Sequence, residues 1–241
     1  MKPVYSIGFD IGGTRLRAVL WNGRRVVSSV VCRTPGTLKS FVSTVQNVLT
    51  KLIPPNTILA GVGIGIAGFI QGTTLVRSRN LKHLGGLNLR QVIPADIKLR
   101  VDNDARAFLR GLPGLSTRYR KQRVLGITLG TGIGRALAVN GKIRPLKSFE
   151  HSEPWEPEYQ KRRFEPSHKF AIYLSSHLAP LIKLRRANIL LIGGGVVEQK
   201  TGLVQELKIS FKKVSLGCKI EYIASDALQA ARGAAILVSG N

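Results

Sequence analysis

Hydrophobic and polar positions alternate in two separate stretches of the chain, and each alternation is interrupted by a glycine-rich turn. The first alternation covers residues 6–11 and resumes over 16–20, after Gly12-Gly13. Because a period of two residues is typical of β-strands, this stretch is predicted to form a hairpin with its turn at Gly12-Gly13. Residues 124–139 repeat the pattern around Gly130-Thr131-Gly132. The repetition predicts two related lobes.

Other periodicities predict the remaining elements. Apolar residues at helical spacing predict helices over 37–53, 170–184, 203–211 and 227–238, and another that begins at Asn103 and Asp104. Strands are predicted over 25–31, 58–70, 99–101, 188–197 and 221–223. The least regular segment, 144–169, contains four prolines.

The tip of the first hairpin has the residues that an anion site needs. Two successive glycines permit positive φ and let backbone N–H groups approach a bound anion. Thr14 adds a hydroxyl, and Asp10 places a carboxylate where it would hold Mg²⁺ beside phosphates, directly or through water. An ordinary hairpin turn is the alternative interpretation.

Asp104 is the candidate catalytic base. It follows a strand and stands at the start of a helix, where a carboxylate can accept a proton from a substrate hydroxyl. Phosphoryl transfer needs mainly positioning and charge stabilisation, so one oriented carboxylate is sufficient. The alternative is that Asp104 only caps the helix.

Composition indicates a globular protein with a strong positive field. Lys and Arg number 37 against 13 Asp and Glu, which gives a net charge of +24 that attracts polyanions such as nucleotides, polyphosphate and RNA. The basic residues are spread along the chain, which disfavours nucleic-acid binding as the main function. Two cysteines and no long apolar run predict a cytoplasmic protein without a signal peptide or membrane span.

Several common nucleotide-binding and metal-binding motifs are absent or lack the context that they need. Gly63, Gly65 and Gly68 spell GxGxxG, but a turn and β-branched residues follow where a dinucleotide site needs a helix. No Walker A sequence is present. His151 and His168 lack metal-ligand spacing with any cysteine, so no metal site is expected there.

The ordered motifs resemble the sugar kinases of the ROK family, within the superfamily of actin, hexokinase and heat-shock chaperones. The matching pieces are DIGGT (10–14), GIGIAG (63–68), RNL (79–81), DNDA (102–105), LGTGIG with NGK (129–142), IGGG (192–195) and RGAA (232–235). The resemblance implies an α/β protein of two ribonuclease-H-like, actin-like ATPase lobes. Each lobe would be a mixed sheet with helices on both faces, and the active-site cleft would lie between the lobes. It places one lobe at 1–105, joined by a C-terminal helix at 226–241, and the other at 106–225.

The resemblance also implies the site residues. The ATP phosphates and Mg²⁺ would be bound by Asp10, Gly12, Gly13, Thr14, Thr131 and Gly132, and the adenosine by Gly194 and Gly195. The sugar would be bound by Gly68, Asn80, Asn103, Asp104, Glu150 and His151, with Asp104 as the base. Family kinases carry GExGH and a zinc-binding CxCGxxGC, whereas this chain has KSFEHSEP without cysteine, so no zinc site is expected.

The function expected from the sequence is therefore an ATP-dependent sugar kinase acting on a hexose or amino sugar. Alternatives are a polyphosphate-using sugar kinase of the same fold and a non-catalytic sugar- or nucleotide-binding protein. Expected partners are a small-molecule sugar and, through the charge, polyanions in general; a homodimer is left open. The absence of a helix-turn-helix ahead of the first strand disfavours DNA regulation.

Overall fold

The computed structural model describes residues 4–113, 115–145, 153–214, 217–222 and 227–239. The chain divides into two compact units, which are Met1–Pro113 with Ala227–Asn241, and Gly114–Asp226. Each unit contains a five-stranded mixed sheet together with helices. Over the described ranges, none of the helices combines the length and apolarity needed to cross a membrane.

The first unit is built on a sheet of strand order β3-β2-β1-β4-β8. Its strands are β1 (Val4–Ile11), β2 (Arg15–Trp21), β3 (Val26–Arg33), β4 (Ile58–Ile66) and β8 (Leu99–Asn103). A second sheet contains β5 (Phe69–Gln71), β6 (Thr74–Arg77) and β7 (Leu87–Asn88). The helices are α1 (Leu38–Leu52), α2 (Asp104–Arg110) and α8 (Gln229–Ser239), with short 3-10 turns at Lys82–Leu84 and Leu89–Gln91.

The two faces of β1 are covered by different helices. Ile7 and Phe9 are fully buried in the core that α1 covers, because alternate residues of a strand point to the same face. On the opposite face, a Cβ on Gly8 would lie 1.9 Å from the carbonyl oxygen of Ala231. A Cβ on Gly63 of β4 would lie 1.8 Å from that of Ala234. These strand glycines let α8 pack directly on the sheet backbone.

The second unit is built on a sheet of strand order β11-β10-β9-β12-β13. Its strands are β9 (Arg123–Leu129), β10 (Ile133–Val139), β11 (Lys142–Arg144), β12 (Ile189–Gly193) and β13 (Lys219–Tyr222). Its helices are α3 (Leu115–Arg118), α4 (Glu156–Arg162), α5 (Ser167–Leu184), α6 (Gly195–Gln199) and α7 (Leu203–Lys213). Phe170 of α5 and Phe211 of α7 are fully buried in a core with Leu125 and Leu190 of the sheet.

The predicted hairpins and long helices are confirmed, with small shifts at their ends. The first predicted helix begins at Leu38, because Thr37 is its N-cap and accepts from the Ser40 N–H, and it ends before Pro54-Pro55. In the first hairpin, Asp10 lies opposite Arg17 and Ile11 opposite Leu16. The turn is therefore centred on Gly13-Thr14, and the prediction of Gly12-Gly13 was wrong by one residue.

Two predicted strands are shorter than expected, and one segment is more regular. The strand predicted over 58–70 ends at Ile66, because Gly68 has a φ of 148° and a separate strand begins at Phe69. The strand predicted over 188–197 ends at Gly193, since Gly194 has a φ of 104° and α6 follows. Helix α4 lies in the segment 144–169, where no element was predicted. Residue 223 of the last predicted strand lies outside the described residues.

Candidate active site

The carboxyl ends of three parallel strands bring Asp10, Asp102 and Asp104 of the first unit together. Strand β4 runs parallel to β1 and β8, with Asp10 opposite Gly65 and Gly65 opposite Asp102. A Cβ on Gly65 would lie 2.7 Å from the Cβ of Ala107 and 3.7 Å from the Cα of Asp104. Glycine at this position lets α2 begin beside β4, which places Asp104 at the same sheet edge as Asp10.

Asp10 is held by an arginine on the neighbouring strand. The residue is 9% exposed, and its Oδ2 accepts a 3.1 Å hydrogen bond from Nη1 of Arg17. Burial raises the pKa of Asp10 to about 6, although the Arg17 guanidinium lowers this pKa and the nearby charge of Asp104 raises it. At neutral pH Asp10 is thus a carboxylate with hard oxygen atoms, and it fits Mg²⁺ beside phosphates.

The N-cap of α2 is Asn103 rather than Asp104. Oδ1 of Asn103 accepts from the N–H of Ala105 at 2.9 Å and from that of Arg106 at 3.4 Å. Oδ1 of Asp104 accepts from the Ala105 N–H at 2.9 Å. Burial raises the pKa of Asp104, whereas the Ala105 N–H lowers it. Because the cap is supplied by Asn103, the carboxylate of Asp104 has no need to cap the helix.

Loop residues complete this edge of the first unit. Asn80 packs against the tip of the first hairpin, since a Cβ on Gly13 would lie 2.7 Å from the Cβ of Asn80. Nδ2 of Asn103 donates to the carbonyl oxygen of Gly68 at 3.4 Å. The structure therefore brings these candidate sugar-binding residues to the edge that carries the two aspartates.

The first turn is tied through its carbonyl groups to Thr34, directly after β3. Oγ1 of Thr34 donates to the carbonyl oxygen of Gly12 at 2.6 Å, and the Thr34 N–H donates to that of Thr14 at 3.1 Å. The Gly12 N–H donates to the carbonyl oxygen of Arg15 at 3.1 Å. Within the described residues, the N–H groups of Gly13 and Thr14 donate to no acceptor. These two adjacent N–H groups suit an anion.

The second unit gathers the other candidate residues at the carboxyl ends of β9 and β12. These strands are parallel, and a Cβ on Gly194 would lie 2.6 Å from the carbonyl oxygen of Leu129. Gly195 follows, with open space where a Cβ would stand. Both glycines thus lie beside the strand that leads into the Gly130-Thr131-Gly132 turn.

Side chains of α4 contact the carbonyl groups of this second turn. The hydroxyl of Tyr159 donates to the carbonyl oxygen of Gly130 at 2.9 Å, and Nε2 of Gln160 donates to that of Thr131. Among the residues that the structure describes, no acceptor is found for the N–H groups of Thr131 and Gly132. The second turn therefore repeats the arrangement of the first, with occupied carbonyl groups and available N–H groups.

Sequence reasoning missed the residues that support these turns and strand ends. They are Arg17, Thr34, Tyr159, Gln160, and the arginines Arg106 and Arg110, which each contact Asp102 at 2.5 Å. A signal existed for Arg17, because a hairpin centred one residue later pairs it with Asp10. Glu150 and His151 lie outside the described residues.

The first unit carries a proton acceptor, and each unit carries a turn that suits an anion. Asp104 is a carboxylate whose raised pKa makes it a stronger base than an ordinary aspartate. The two turns offer paired backbone N–H groups of the kind that bind phosphate oxygens. A proton acceptor and phosphate-binding turns are the parts that transfer of a phosphoryl group to a hydroxyl requires.

The chain is similar to known proteins both in sequence and in structure. The model of the ROK family matches residues 6–145. An N-acetyl-D-glucosamine kinase from Citrobacter koseri is 32% identical over 142 residues, which is 56% of this chain and 46% of the kinase. The chain thus spans about half the length of this relative.

Two solved structures resemble the chain over almost its whole length. A ROK family glucokinase from Streptomyces griseus, in complex with glucose and AMPPNP, has a TM-score of 0.81 at 20% identity and covers 98% of this chain and 100% of its own. An inorganic polyphosphate/ATP-glucomannokinase from Arthrobacter sp. strain KM has a TM-score of 0.78 at 24% identity, with 98% of each chain covered. These likenesses show the actin-like ATPase fold of the ROK sugar kinases. Because the family model also matches more than half of its residues, this chain belongs to the ROK family.

Proposed function

We propose that this chain is an ATP-dependent sugar kinase, which transfers the γ-phosphoryl group to a hydroxyl of a hexose or amino sugar. The observation that carries the proposal is the position of Asp104, which lies at the sheet edge shared with Asp10 and has a raised pKa. Similarity to an N-acetyl-D-glucosamine kinase supports a sugar as the acceptor.

In the proposed reaction, Asp104 accepts the proton of the sugar hydroxyl while the hydroxyl oxygen attacks the γ-phosphorus of ATP. The bond from that phosphorus to the β–γ bridging oxygen breaks, and ADP leaves. Asn80, Asn103 and Gly68 would orient the sugar, and the N–H groups of the two turns would bind the phosphates. Asp10 would hold Mg²⁺, which when bound neutralises phosphate charge. Gly194 and Gly195 would lie against the adenosine.

We place this reaction in the cytoplasm, because Cys32 and Cys218 are free thiols, the state that a reducing compartment maintains. The +24 charge favours a second candidate donor, inorganic polyphosphate, which such a field attracts. The assay below therefore uses both donors.

The test is formation of sugar phosphate over a panel of hexoses, N-acetylhexosamines and their epimers, with Mg²⁺-ATP or polyphosphate as donor. Asp104→Asn is expected to lower kcat by about 10²- to 10⁴-fold, because the amide cannot accept the proton. Asp96→Asn is the matched control, since Asp96 is exposed and is the only acidic residue of the first unit besides Asp10, Asp102 and Asp104.

The outcomes separate the candidates. Turnover that needs ATP, a sugar and Asp104 supports the proposal. The same turnover with polyphosphate and not with ATP would make polyphosphate the donor. Nucleotide binding without turnover on any sugar would overturn the kinase in favour of a binding protein.

A further inference from the structure

The carbonyl groups of the second turn are contacted by side chains from a later part of the chain. In a trans peptide unit, the carbonyl group of one residue and the N–H group of the next point in opposite directions. The carbonyl of Gly130 is paired in this way with the N–H of Thr131, and the carbonyl of Thr131 with the N–H of Gly132. Any group that fixes these two carbonyls also fixes the direction of the two N–H groups.

Both carbonyls are fixed by consecutive residues of α4. The hydroxyl of Tyr159 donates to Gly130 O at 2.9 Å, and Nε2 of Gln160 donates to Thr131 O. Burial raises the pKa of Tyr159, so its phenol stays protonated and remains a donor. Nη1 of Arg163 reaches Gly130 O at 3.3 Å and adds positive charge beside the turn. The N–H groups of residues 131 and 132 must therefore point away from α4.

Helix α4 is itself attached to the strand that follows the turn. Nη2 of Arg135, in β10, lies 2.5 Å from Oε1 of Glu156, and the side chains are 0% and 5% exposed. The same carboxylate accepts from the Glu153 N–H at 2.8 Å. Trp155 stacks on His177 of α5 with ring centroids 4.5 Å apart. Turn, strand and helix are thus joined by hydrogen bonds and a buried ion pair within the second unit.

We propose that Tyr159 and Gln160 are positioning residues of the donor site, which aim the N–H groups of Thr131 and Gly132 at the phosphates of the donor. This inference rests on the proposed function for the identity of the donor. A glycine-rich turn without such support would lose conformational entropy on binding an anion. Side chains that hold the turn before binding reduce this cost.

The test is the affinity of the full chain, without sugar, for two probes, Mg²⁺-AMPPNP and inorganic tripolyphosphate, by titration calorimetry. Tyr159→Phe removes one hydroxyl and keeps the buried ring, and it is expected to weaken both probes about 3- to 10-fold, the range that one neutral hydrogen bond supplies. Tyr159→Phe combined with Gln160→Leu is expected to weaken both by about 30-fold. In turnover assays the KM for the donor should rise, while the KM for the sugar stays unchanged.

Tyr119→Phe is the matched control. Tyr119 is also buried in the second unit, and its hydroxyl donates to Glu221 at 2.7 Å, with no contact to the turn. This variant is expected to bind both probes within about twofold of the unmodified chain, since the hydrogen bond that it loses joins a carboxylate away from the turn. Melting temperatures of all variants show whether each one is folded.

The possible results distinguish this inference from the kinase proposal. Unchanged affinity in the double variant, an equal loss in the Tyr119 control, or a loss for AMPPNP but not for tripolyphosphate would overturn the positioning role. The expected losses without turnover on any sugar would support the role and reject the kinase. Turnover on a sugar, together with variants whose affinity for both probes is unchanged, would support the kinase and reject the positioning role. A native chain that binds neither probe would overturn both proposals.

Discussion

The two glycine–threonine turns both leave two adjacent N–H groups without an acceptor among the described residues, but their carbonyl groups are held in different ways. At the first turn, the carbonyl groups of Gly12 and Thr14 are held by one residue, Thr34, directly after the adjacent strand β3. At the second turn, Gly130 and Thr131 are held by a helix that follows the turn by about 25 residues. Both turns thus have carbonyl groups held by a neighbouring part of their own unit, which is Thr34 at the first turn and α4 at the second.

The electrostatic surroundings of the turns differ as well. Strand β1, which enters the first turn, carries Asp10, and β2, which leaves it, carries its partner Arg17. Their side chains are 12% and 23% exposed. Strands β9 and β10 around the second turn carry no acidic residue, and Arg135 of β10 is paired with Glu156, with side chains 0% and 5% exposed. The charged pair beside the first turn is thus available for chemistry, whereas the charged pair beside the second turn is buried and has a structural role.

The strongest test of this difference is removal of the buried charge pair. Arg135→Met leaves the carboxylate of Glu156 buried without its partner and is expected to lower the free energy of unfolding by about 3–5 kcal/mol. Arg118→Met is the control, because Arg118 pairs with Glu221 at the surface with its side chain 62% exposed, and a loss within about 1 kcal/mol is expected. Urea denaturation measures both variants. Equal losses would mean that the buried pair contributes no more to the free energy of unfolding than a surface ion pair does.

The second test uses pH and addresses the first turn. The folded pKa of Asp10 is about 6, above its ordinary value of 3.8, so the folded state binds this proton more tightly than the unfolded chain does. Stability from Asp10 is therefore fully present below about pH 4 and is lost as pH rises to about 6, by about 3 kcal/mol.

Asp10→Asn removes this titration, so its unfolding free energy relative to the unmodified chain should increase between pH 4.5 and pH 7.5. The unpaired Arg17 of the variant stays charged throughout and adds a constant offset only. Asp96→Asn, a change of the same kind at an exposed side chain, is the control. A pH-independent difference for Asp10→Asn would mean that burial does not perturb this carboxyl.

A smaller effect is expected from adding one methyl group beside the second turn. Gly194→Ala places a Cβ 2.6 Å from the carbonyl oxygen of Leu129, at a φ of 104° that side chains rarely adopt. A loss of about 2 kcal/mol in unfolding free energy is expected. Gly195→Ala is the control, because open space surrounds its Cβ position. Similar melting temperatures for the two variants would contradict the close packing of Gly194 on Leu129.

The smallest effect concerns the support of the first turn. Thr34→Val removes the hydroxyl that holds Gly12 but keeps the backbone bond to Thr14, so about 1 kcal/mol of stability should be lost. Affinity for tripolyphosphate should fall about 3- to 10-fold, as for Tyr159→Phe. Thr50→Val, which removes an exposed hydroxyl bonded to Gln46 in α1, should leave that affinity unchanged. If Thr34→Val binds like the native chain, the two turns are not equivalent in their support.

Local signals in the sequence were sufficient for much of the fold and for the location of the site. The alternation around Gly12-Gly13 and Gly130-Gly132 predicted both hairpins, and the end of the strand before Asn103 predicted the helix start that carries Asp104. These features depend on residues that are near one another in the chain. Proline and glycine also marked most element ends correctly, because their backbone preferences act locally.

The missed features depend on contacts between distant residues. The support of the second turn joins residue 130 to residue 159, and the buried pair joins Arg135 to Glu156. Nothing in the segment 144–169 marks Glu156 as buried, because acidic residues in a proline-rich stretch are typical of a solvated loop. The error at the first turn was one of register. A shift of one residue in its centre changes the partner of Asp10 from Arg15 to Arg17, and short hairpins do not specify this from composition.

The close packing of α8 on Gly8 and Gly63 has a consequence for how the protein is made. Residues 229–239 leave the ribosome only after the whole of the second unit, which is continuous in the chain. The second unit is therefore complete in sequence before α8 is made, whereas the first unit, begun earlier, still lacks its last helix. Until then the α8 face of β1 and β4 stays open to solvent.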